Sequence, residues 1–256
     1  VKKIALLLKA NMQRMFWEND RYKNQSIQVK VTNKNISSDV NNVNTRNIKA
    51  KNNTQVVGKP NVDNSLVLGT VTVSDGSFTA KAKNDIKTGA VQAKNDVSLL
   101  STEGAVTNNK SVTSSAGNIS INAQKDITNN GVIKADKEIR LTAAEGNINS
   151  ASATGVYLDA GASLTLQAEK GDVGSADSAL RIRNNKNVPI NVTARNAWLQ
   201  GVANTSGTDT NNMTLGAVRF ANGFTAESEG NIVSGTGSDA YLDAGTQITL
   251  QAEKVS

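Results

Sequence analysis

The chain has 256 residues, of which 38% are hydrophobic and 4% aromatic, and it contains neither cysteine nor histidine. The lack of cysteine excludes disulfides and thiolate metal sites, and the lack of histidine excludes Ser-His-Asp catalysis and the usual zinc ligands. The net charge of +6 is uneven, because residues 1–60 carry 12 Lys/Arg against 3 Asp/Glu and residues 61–256 carry 16 against 19.

The N-terminal residues have a helical pattern. Apolar residues at roughly helical spacing favour a short amphipathic helix over about residues 2–18, which would cap the following domain. A buried strand pair and a membrane-surface helix are the alternatives. The apolar run at residues 4–8 is too short to cross a membrane, so no transmembrane segment is expected. The chain begins with Val1 and not Met, which is compatible with a fragment of a longer protein.

The sequence before residue 61 then alternates and becomes rich in asparagine. The run SIQVKV at residues 26–31 alternates like a strand. Residues 33–53 carry isolated Ile and Val, which predicts either a segment stacked on a neighbour or a mobile basic arm. Scattered basic residues with few aromatics do not indicate specific nucleic-acid binding. We therefore separate a basic segment, residues 1–60, from a principal domain, residues 61–256.

From about residue 61 the pattern predicts many short strands. Alternating runs rich in β-branched residues are each closed by Gly, Asn or Asp, among them SLVLGTVTV, NISIN, IRLTA and SLTLQA. Two loose patterns recur, Ala-x-x-polar-aliphatic and Gly-x-aliphatic. The glycines of the second pattern recur at short and nearly even intervals, at Gly104, Gly117, Gly131 and Gly146. Such self-similarity is typical of repeat architectures.

A longer duplication lies within this region. Residues 145–170 match residues 229–254 without a gap, with 16 of 26 positions identical at an offset of 84. A short strand cannot bury its apolar face alone, whereas stacked coils merge such faces into one core between parallel strands. We therefore predict an all-β fold, a β-solenoid of about ten coils and on the order of 45 Å in length. A sandwich and a propeller are competing all-β architectures, and neither requires this duplication.

Two stretches resemble a known family. The run GNISINAQKDITNNGVIKADKEIRLTAAEGNINS (residues 117–150) resembles the repeats of filamentous-haemagglutinin-like proteins, which are large bacterial surface adhesins and toxins exported by two-partner secretion. The run LTLQAEKGDVGSADSALRIR (residues 164–183) is similar to repeats of leukotoxin-type filamentous adhesins. The resemblance covers about residues 75–256. It implies a right-handed parallel β-helix, an extracellular or outer-membrane-associated location on the bacterial surface, and a role in adhesion. The Asn-Pro-Asn-Gly-type motifs of the family's secretion domain are absent, so the chain resembles a distal repeat segment.

Candidate binding residues lie in the least regular stretch, residues 184–225. Its aromatic residues Trp198, Phe220 and Phe224 flank the polar run GVANTSGTDTNN. Loops carry function more often than scaffold strands do, so we predict a binding surface here. An elaborated coil without a ligand is the alternative.

The duplicated segment repeats a tyrosine and an aspartate, Tyr157 and Asp159 in one copy and Tyr241 and Asp243 in the other. A functional role would be contact with Ca²⁺ or a glycan. A hard cation needs several oxygen ligands, so we favour aspartates that bond to the turn backbone. For the tyrosines we favour packing, because their separation in the sequence places them several coils apart.

A β-helix enzyme acting on polysaccharides would need clustered carboxylates with Arg or a cation. The nearest approach in the sequence is a group of four residues, Asp172, Asp177, Arg181 and Arg183, and nothing specific marks them. We therefore expect a non-enzymatic stalk or adhesion shaft without catalytic residues, cofactor or metal. Its partner would be a protein or glycan on a host or neighbouring cell. A fibre built by end-to-end self-association is the alternative, and a polysaccharide-active enzyme is a weaker one.

Overall fold

The computed structural model describes residues 27–30, 34–37, 42–58, 62–151, 155–183, 188–203, 212–236 and 239–252. Their regular structure is entirely β-strand, and the strands pair in parallel. An all-β solenoid is therefore confirmed. The helix predicted over about residues 2–18 lies outside the described residues.

The strands of this described part follow one another at short intervals. In chain order they are β1 Ile27–Lys30, β2 Lys34–Ser37, β3 Asn42–Ala50, β4 Thr54–Val57, β5 Ser65–Val73, β6 Phe78–Ala82, β7 Ile86–Thr88, β8 Val91–Ala93, β9 Val97–Ser101, β10 Val106–Asn108, β11 Val112–Ser114, β12 Ile119–Ala123, β13 Ile127–Asn129, β14 Val132–Ala135, β15 Glu138–Ala143, β16 Ile148–Ser150, β17 Tyr157–Ala160, β18 Ser163–Ala168, β19 Leu180–Arg183, β20 Pro189–Ala194, β21 Ala197–Val202, β22 Met213–Phe220, β23 Gly223–Ser228, β24 Ile232–Ser234, β25 Tyr241–Ala244 and β26 Gln247–Ala252.

The strands form two sheets that run along the stack of coils. The first sheet divides at β5, whose first half pairs with β7 and whose second half pairs with β8. The next coils therefore have three strands on three faces, with β10 stacked on β7, β11 on β8 and β12 on β9. The second sheet starts at β2 and runs through β12 to β24, with β25 also paired to β22. This arrangement encloses one narrow core.

One core position recurs on each coil and sets the turn count. Its residues pair from coil to coil, in the order Leu66, Ile86, Val106, Ile127, Ile148, Val173, Ala197, Phe224 and Ile248, and all of them except Ile248 are buried. The domain thus has about 8 turns. The predicted number was about ten, which assumed coils of roughly constant length. Coils in the later part are longer, since Phe224 lies further along the chain from Ala197 than Ile86 does from Leu66.

The solenoid also extends upstream of residue 61. β3 pairs with β5 and β4 pairs with β6, while β1 and β2 pair with β3 and β4. The stacked alternative for the Asn-rich stretch is therefore the one adopted by residues 42–58. The boundary predicted at residue 61 falls inside the stack.

Alternation of side chains along each strand separates the core from the surface. In β12, Ile119, Ile121 and Ala123 are buried, whereas Ser120 and Asn122 lie on the outer surface. Successive strand residues point to opposite faces, so burial of every second side chain removes apolar area from water on one face only. The interior consists mainly of Ala, Val, Ile and Leu, in agreement with the low aromatic content.

The Gly-x-aliphatic pattern marks corners at which one coil crosses closely over the previous one. A Cβ atom on Gly117 would lie 2.6 Å from Oδ1 of Asp96 and 2.7 Å from the carbonyl carbon of Asn95. The same Asp96 oxygen accepts a hydrogen bond of 2.8 Å from the backbone N–H of Asn118. Corner Asp and Asn side chains therefore bond to the next coil, and glycine leaves the room for this contact.

A column of buried polar side chains runs through the core, a feature that the residue pattern does not predict. Asn129 is fully buried, and its Oδ1 accepts a hydrogen bond of 2.8 Å from Nδ2 of Asn108 on the coil beneath. Asn108 Oδ1 in turn accepts from the hydroxyl of Thr88 at 3.2 Å. Nδ2 of Asn129 donates to the backbone carbonyl of Gly131 at 2.8 Å. The column thus ties three successive coils together.

The two copies of the duplicated segment lie on different faces of the solenoid. In the first copy, β17 belongs to the first sheet and β18 to the second. In the second copy, β25 pairs with β22 in the second sheet and β26 pairs with β23 in the first. The offset between the copies is thus not a whole number of coils. The strand–corner–strand module fits either position, because its alternation is the same on every face.

Candidate functional site

The aspartates of the duplicated segment lie within strands, next to cations of the adjacent coil. Asp159 is buried in β17, and its Oδ2 lies 3.0 Å from Nζ of Lys134, the residue paired with it on β14. Asp243 in β25 faces Arg219 of β22, with 3.2 Å between Oδ2 and Nε. Both aspartates thus lie within strands and pair with a cation of the adjacent coil, whereas the prediction placed them at corners.

The tyrosines of the duplicated segment also contact cations. The guanidinium carbon of Arg183 lies 4.2 Å from the ring centre of Tyr157, and that of Arg219 lies 5.8 Å from the ring centre of Tyr241. A cation over an aromatic face is attracted by the ring quadrupole. Tyr157 is half-buried and thus packs against a neighbouring coil, whereas Tyr241 is 46% exposed.

The residues of the enzyme hypothesis are spread over different parts of the coil. Asp172 lies at a corner, where its carboxylate accepts hydrogen bonds from Nε and Nη2 of Arg195 at 3.1 and 2.8 Å. Arg183 belongs to β19, which is a different part of the coil from the corner that carries Asp172. Its guanidinium lies over Tyr157. In the described ranges, no group of three or more acidic side chains is close enough to share a metal ion.

Stability is expected to depend on pH through Asp172. Hydrogen bonding from Arg195 is the main cause that holds the pKa of this carboxyl below its ordinary value, while partial burial opposes it. A depressed folded-state pKa stabilises the fold above the unfolded pKa of about 4, and the stabilisation is lost as pH falls through the folded pKa. We expect Asp172→Asn to lower the urea midpoint at about pH 7 and to lower it less at about pH 3.

Circular dichroism during urea unfolding measures both midpoints. Asp177→Asn is the matched control, because Asp177 is exposed and makes no ion pair with any residue that the structure describes. It should leave the midpoint near the wild-type value at neutral pH. An equal loss from Asp172→Asn at the two pH values would show that the ion pair is not its cause.

The three aromatic residues predicted as binding residues occupy two environments. Phe220 and Phe224 are buried, and their rings stack with centres 5.1 Å apart. They belong to the core, and their faces are therefore closed to a ligand. Trp198 lies on the outer side of β21 and is half-buried. Of the three predicted residues, Trp198 alone presents its side chain at the surface.

A cleft beside Trp198 is a surface depression that carries a predicted binding residue. It has a volume of about 250 Å³ and is bounded by three successive coils. Asn196 and Trp198 form its lower wall, residues 222–225 form its floor, and Thr246 and Gln247 form its upper wall. We call this depression the Trp198 cleft. Phe224 underlies it from the core.

The Trp198 cleft offers uncharged hydrogen-bonding groups. The side-chain amides of Asn222 and Gln247 and the indole N–H of Trp198 make no hydrogen bond to another described residue. Asn196 is fixed, since its Nδ2 donates to Asp172 Oδ1 at 2.9 Å and its Oδ1 accepts from the backbone N–H of Gly223 at 3.1 Å. One wall is therefore rigid, and amides with unused donors and acceptors line the other sides.

Sequence reasoning identified the tryptophan and missed the residues around it. Asn196, Gly223 and Gln247 come together because they occupy the same position on three successive coils. They lie far apart along the chain, and corner Asn and Gly residues are common throughout it. No local signal distinguishes these members from the others.

The fold and the cleft define a parallel β-solenoid with a small aromatic cleft on its outer surface. Comparisons with protein-family models, with curated proteins and with solved structures found no match to this chain. The resemblance to filamentous-haemagglutinin-like repeats therefore depends on the residue patterns alone. Within the described ranges there is no helix long and apolar enough to span a membrane.

Proposed function

We propose that this chain is a non-enzymatic shaft segment of a large bacterial surface or secreted filamentous protein. The shaft holds weak contacts away from the cell, and their repetition raises avidity. Export by two-partner secretion and a partner on a host or neighbouring cell belong to the same proposal. The observation that carries it is the stack of about 8 turns around one unbroken core.

Contacts on the outer surface join neighbouring coils, as a shaft requires. Ion pairs join residues of neighbouring coils on several faces, with Lys94 Nζ 2.7 Å from Asp75 Oδ1 and Lys170 Nζ 3.0 Å from Glu145 Oε1. Because these pairs are exposed to solvent, each contributes little to stability. The parallel backbone pairing and the core supply most of the stability, and contacts run from coil to coil as in other solenoids.

Adhesion of coated beads tests the proposal. Beads coupled to the purified chain at increasing density should attach to cultured epithelial cells or to neighbouring bacteria, with attachment rising more steeply than density because several contacts form at once. Beads that were coupled to the urea-unfolded chain and then quenched are the control for attachment through nonspecific charge. Failure to attach to any cell type at any density would overturn the adhesive function.

A fibre subunit is the second candidate. Leu242, Ile248 and Leu250 on β25 and β26 are 39 to 47% exposed, and an open strand edge can pair with another chain. We expect negative-stain microscopy to show short rods on the order of 40 Å for a shaft segment. Long filaments would instead identify the chain as a self-assembling subunit.

A further inference from the structure

The Trp198 cleft contains a glycine that the fold does not require. At many of the corner glycines an added Cβ would meet backbone atoms closely, for example Lys110 O at 1.8 Å from Gly131 and Asp136 O at 1.9 Å from Gly161. At Gly223 the nearest atom is Asn196 Oδ1 at 3.5 Å, an ordinary van der Waals contact. Gly223 is the first residue of β23, and glycine loses more conformational freedom on folding than any other residue, so its presence here has a cost without a packing reason.

Gly223 keeps the cleft open. Coil-to-coil pairing places Asn196, Gly223 and Gln247 at the same position on three successive coils, so a side chain at residue 223 would lie between the two amides. Asp172 occupies the same position one coil below Asn196 and also carries a side chain. Glycine in a strand often marks a place where a ligand approaches the backbone closely. The missing side chain and the neighbouring indole therefore create one recess.

The lining of the cleft selects a ligand chemistry. All of its residues are uncharged, and they combine an indole face with side-chain amides and threonine hydroxyls. The axial C–H groups of a pyranose ring pack well on the electron-rich face of an aromatic ring, and sugar hydroxyls pair with amides. The volume of about 250 Å³ lies below that of pockets for drug-sized ligands, about 300–1,000 Å³, and suits a single sugar ring.

We propose that the Trp198 cleft binds a neutral hexopyranose unit of a cell-surface glycan. Trp198 stacks on the sugar ring, and Asn222 and Gln247 bond to its hydroxyls. One small ligand with few contacts gives a dissociation constant of about millimolar order. This inference rests on the adhesive part of the proposed function, since many such shafts on one surface convert weak contacts into firm attachment.

The test combines a glycan array with fluorescence titration. The array carries oligosaccharides ending in galactose, glucose, mannose, N-acetylglucosamine or N-acetylgalactosamine, together with sialylated and sulfated forms of the same glycans. At least one neutral terminus should bind, and addition of that free sugar should change the emission of a Trp17→Phe variant, in which Trp198 is the remaining tryptophan. Trp198→Ala should reduce array binding at least tenfold, and Trp198→Phe should retain part of it.

Gly223→Gln tests the recess without removing a contact residue. The added side chain meets no backbone atom closely, so the variant should unfold at the wild-type temperature and still lose binding to the same degree as Trp198→Ala. Tyr157→Ala is the matched control, because it removes an outer aromatic residue that Arg183 already covers, and it should bind normally.

Several results would overturn the inference. They are a silent array, binding of charged termini alone, or undiminished binding by a folded Trp198→Ala variant. If a folded Trp198→Ala variant keeps its array binding and its coated beads still attach to cells, the glycan inference fails and the shaft function stands. If the wild-type array is positive and beads do not attach, the shaft function fails and the glycan site stands.

Discussion

Leu166→Ala is expected to lower the free energy of unfolding by about 3 kcal/mol, and Leu250→Ala by less than about 0.5 kcal/mol. The two leucines occupy matching positions in the two copies of the duplicated segment. Leu166 is completely buried between β15 and β20, whereas Leu250 on β26 is 47% exposed. Truncating a buried leucine removes its transfer free energy and leaves a cavity, but an exposed leucine has little of either to lose.

Urea unfolding followed by circular dichroism measures both losses. The denaturant slope must also be compared, because solenoids can unfold in parts and a changed slope would show loss of cooperativity. Since the sites are several coils apart, the double variant should show the sum of the two effects. If both variants lose the same free energy of unfolding in a sample that sedimentation shows to be monomeric, Leu250 is not exposed on β26 as the structure places it.

Asn129→Ala is expected to lower the free energy of unfolding by about 3 kcal/mol, the second large effect. Asn129 is fully buried, accepts from Asn108 Nδ2 at 2.8 Å, and exchanges hydrogen bonds with both the N–H and the carbonyl of Gly131. Alanine would remove these three hydrogen bonds, each worth roughly 1 kcal/mol net, while Nδ2 of Asn108 keeps its bond of 2.6 Å to the carbonyl of Lys110. Denaturant unfolding gives the value directly.

Thr128→Ala is the matched control for this change. Thr128 is the neighbouring residue of β13, lies on its outer side and is half-buried, so we expect a change within about 0.5 kcal/mol. If Asn129→Ala unfolds at the same urea concentration as Thr128→Ala, the buried polar column adds nothing to stability. Its role would then be limited to fixing the register of neighbouring coils.

Much of the fold is predictable from local pattern. Period-two alternation in runs such as IRLTA places Ile139, Leu141 and Ala143 on the inner face of β15, where they are buried. Turn residues between short runs predict the corners, and self-similarity predicts stacking, because a lone short strand cannot bury its apolar face. These signals depend on neighbouring residues only, which is why they can be recognised in the sequence alone.

The residues whose environment was predicted incorrectly share one cause. Phe220 and Phe224 lie in an irregular polar stretch, and its polarity suggested exposed aromatic side chains. They are buried because they occupy inward positions of β22 and β23, where their rings stack on each other. Asp159 lies close before a glycine as turn aspartates do, but its carboxylate pairs with Lys134 of the coil beneath. In each case the deciding neighbour belongs to another coil.

The sequence by itself determined the strand positions, the inward and outward faces and the stacking of repeats, because alternation and turn chemistry act over a few residues. Only the tertiary structure decided which residues meet between coils. That register depends on coil length, which is greater between Ala197 and Phe224 than between Leu66 and Ile86. The register between coils therefore produces the buried asparagine column and the Trp198 cleft, and it places the two copies of the duplicated segment on different faces.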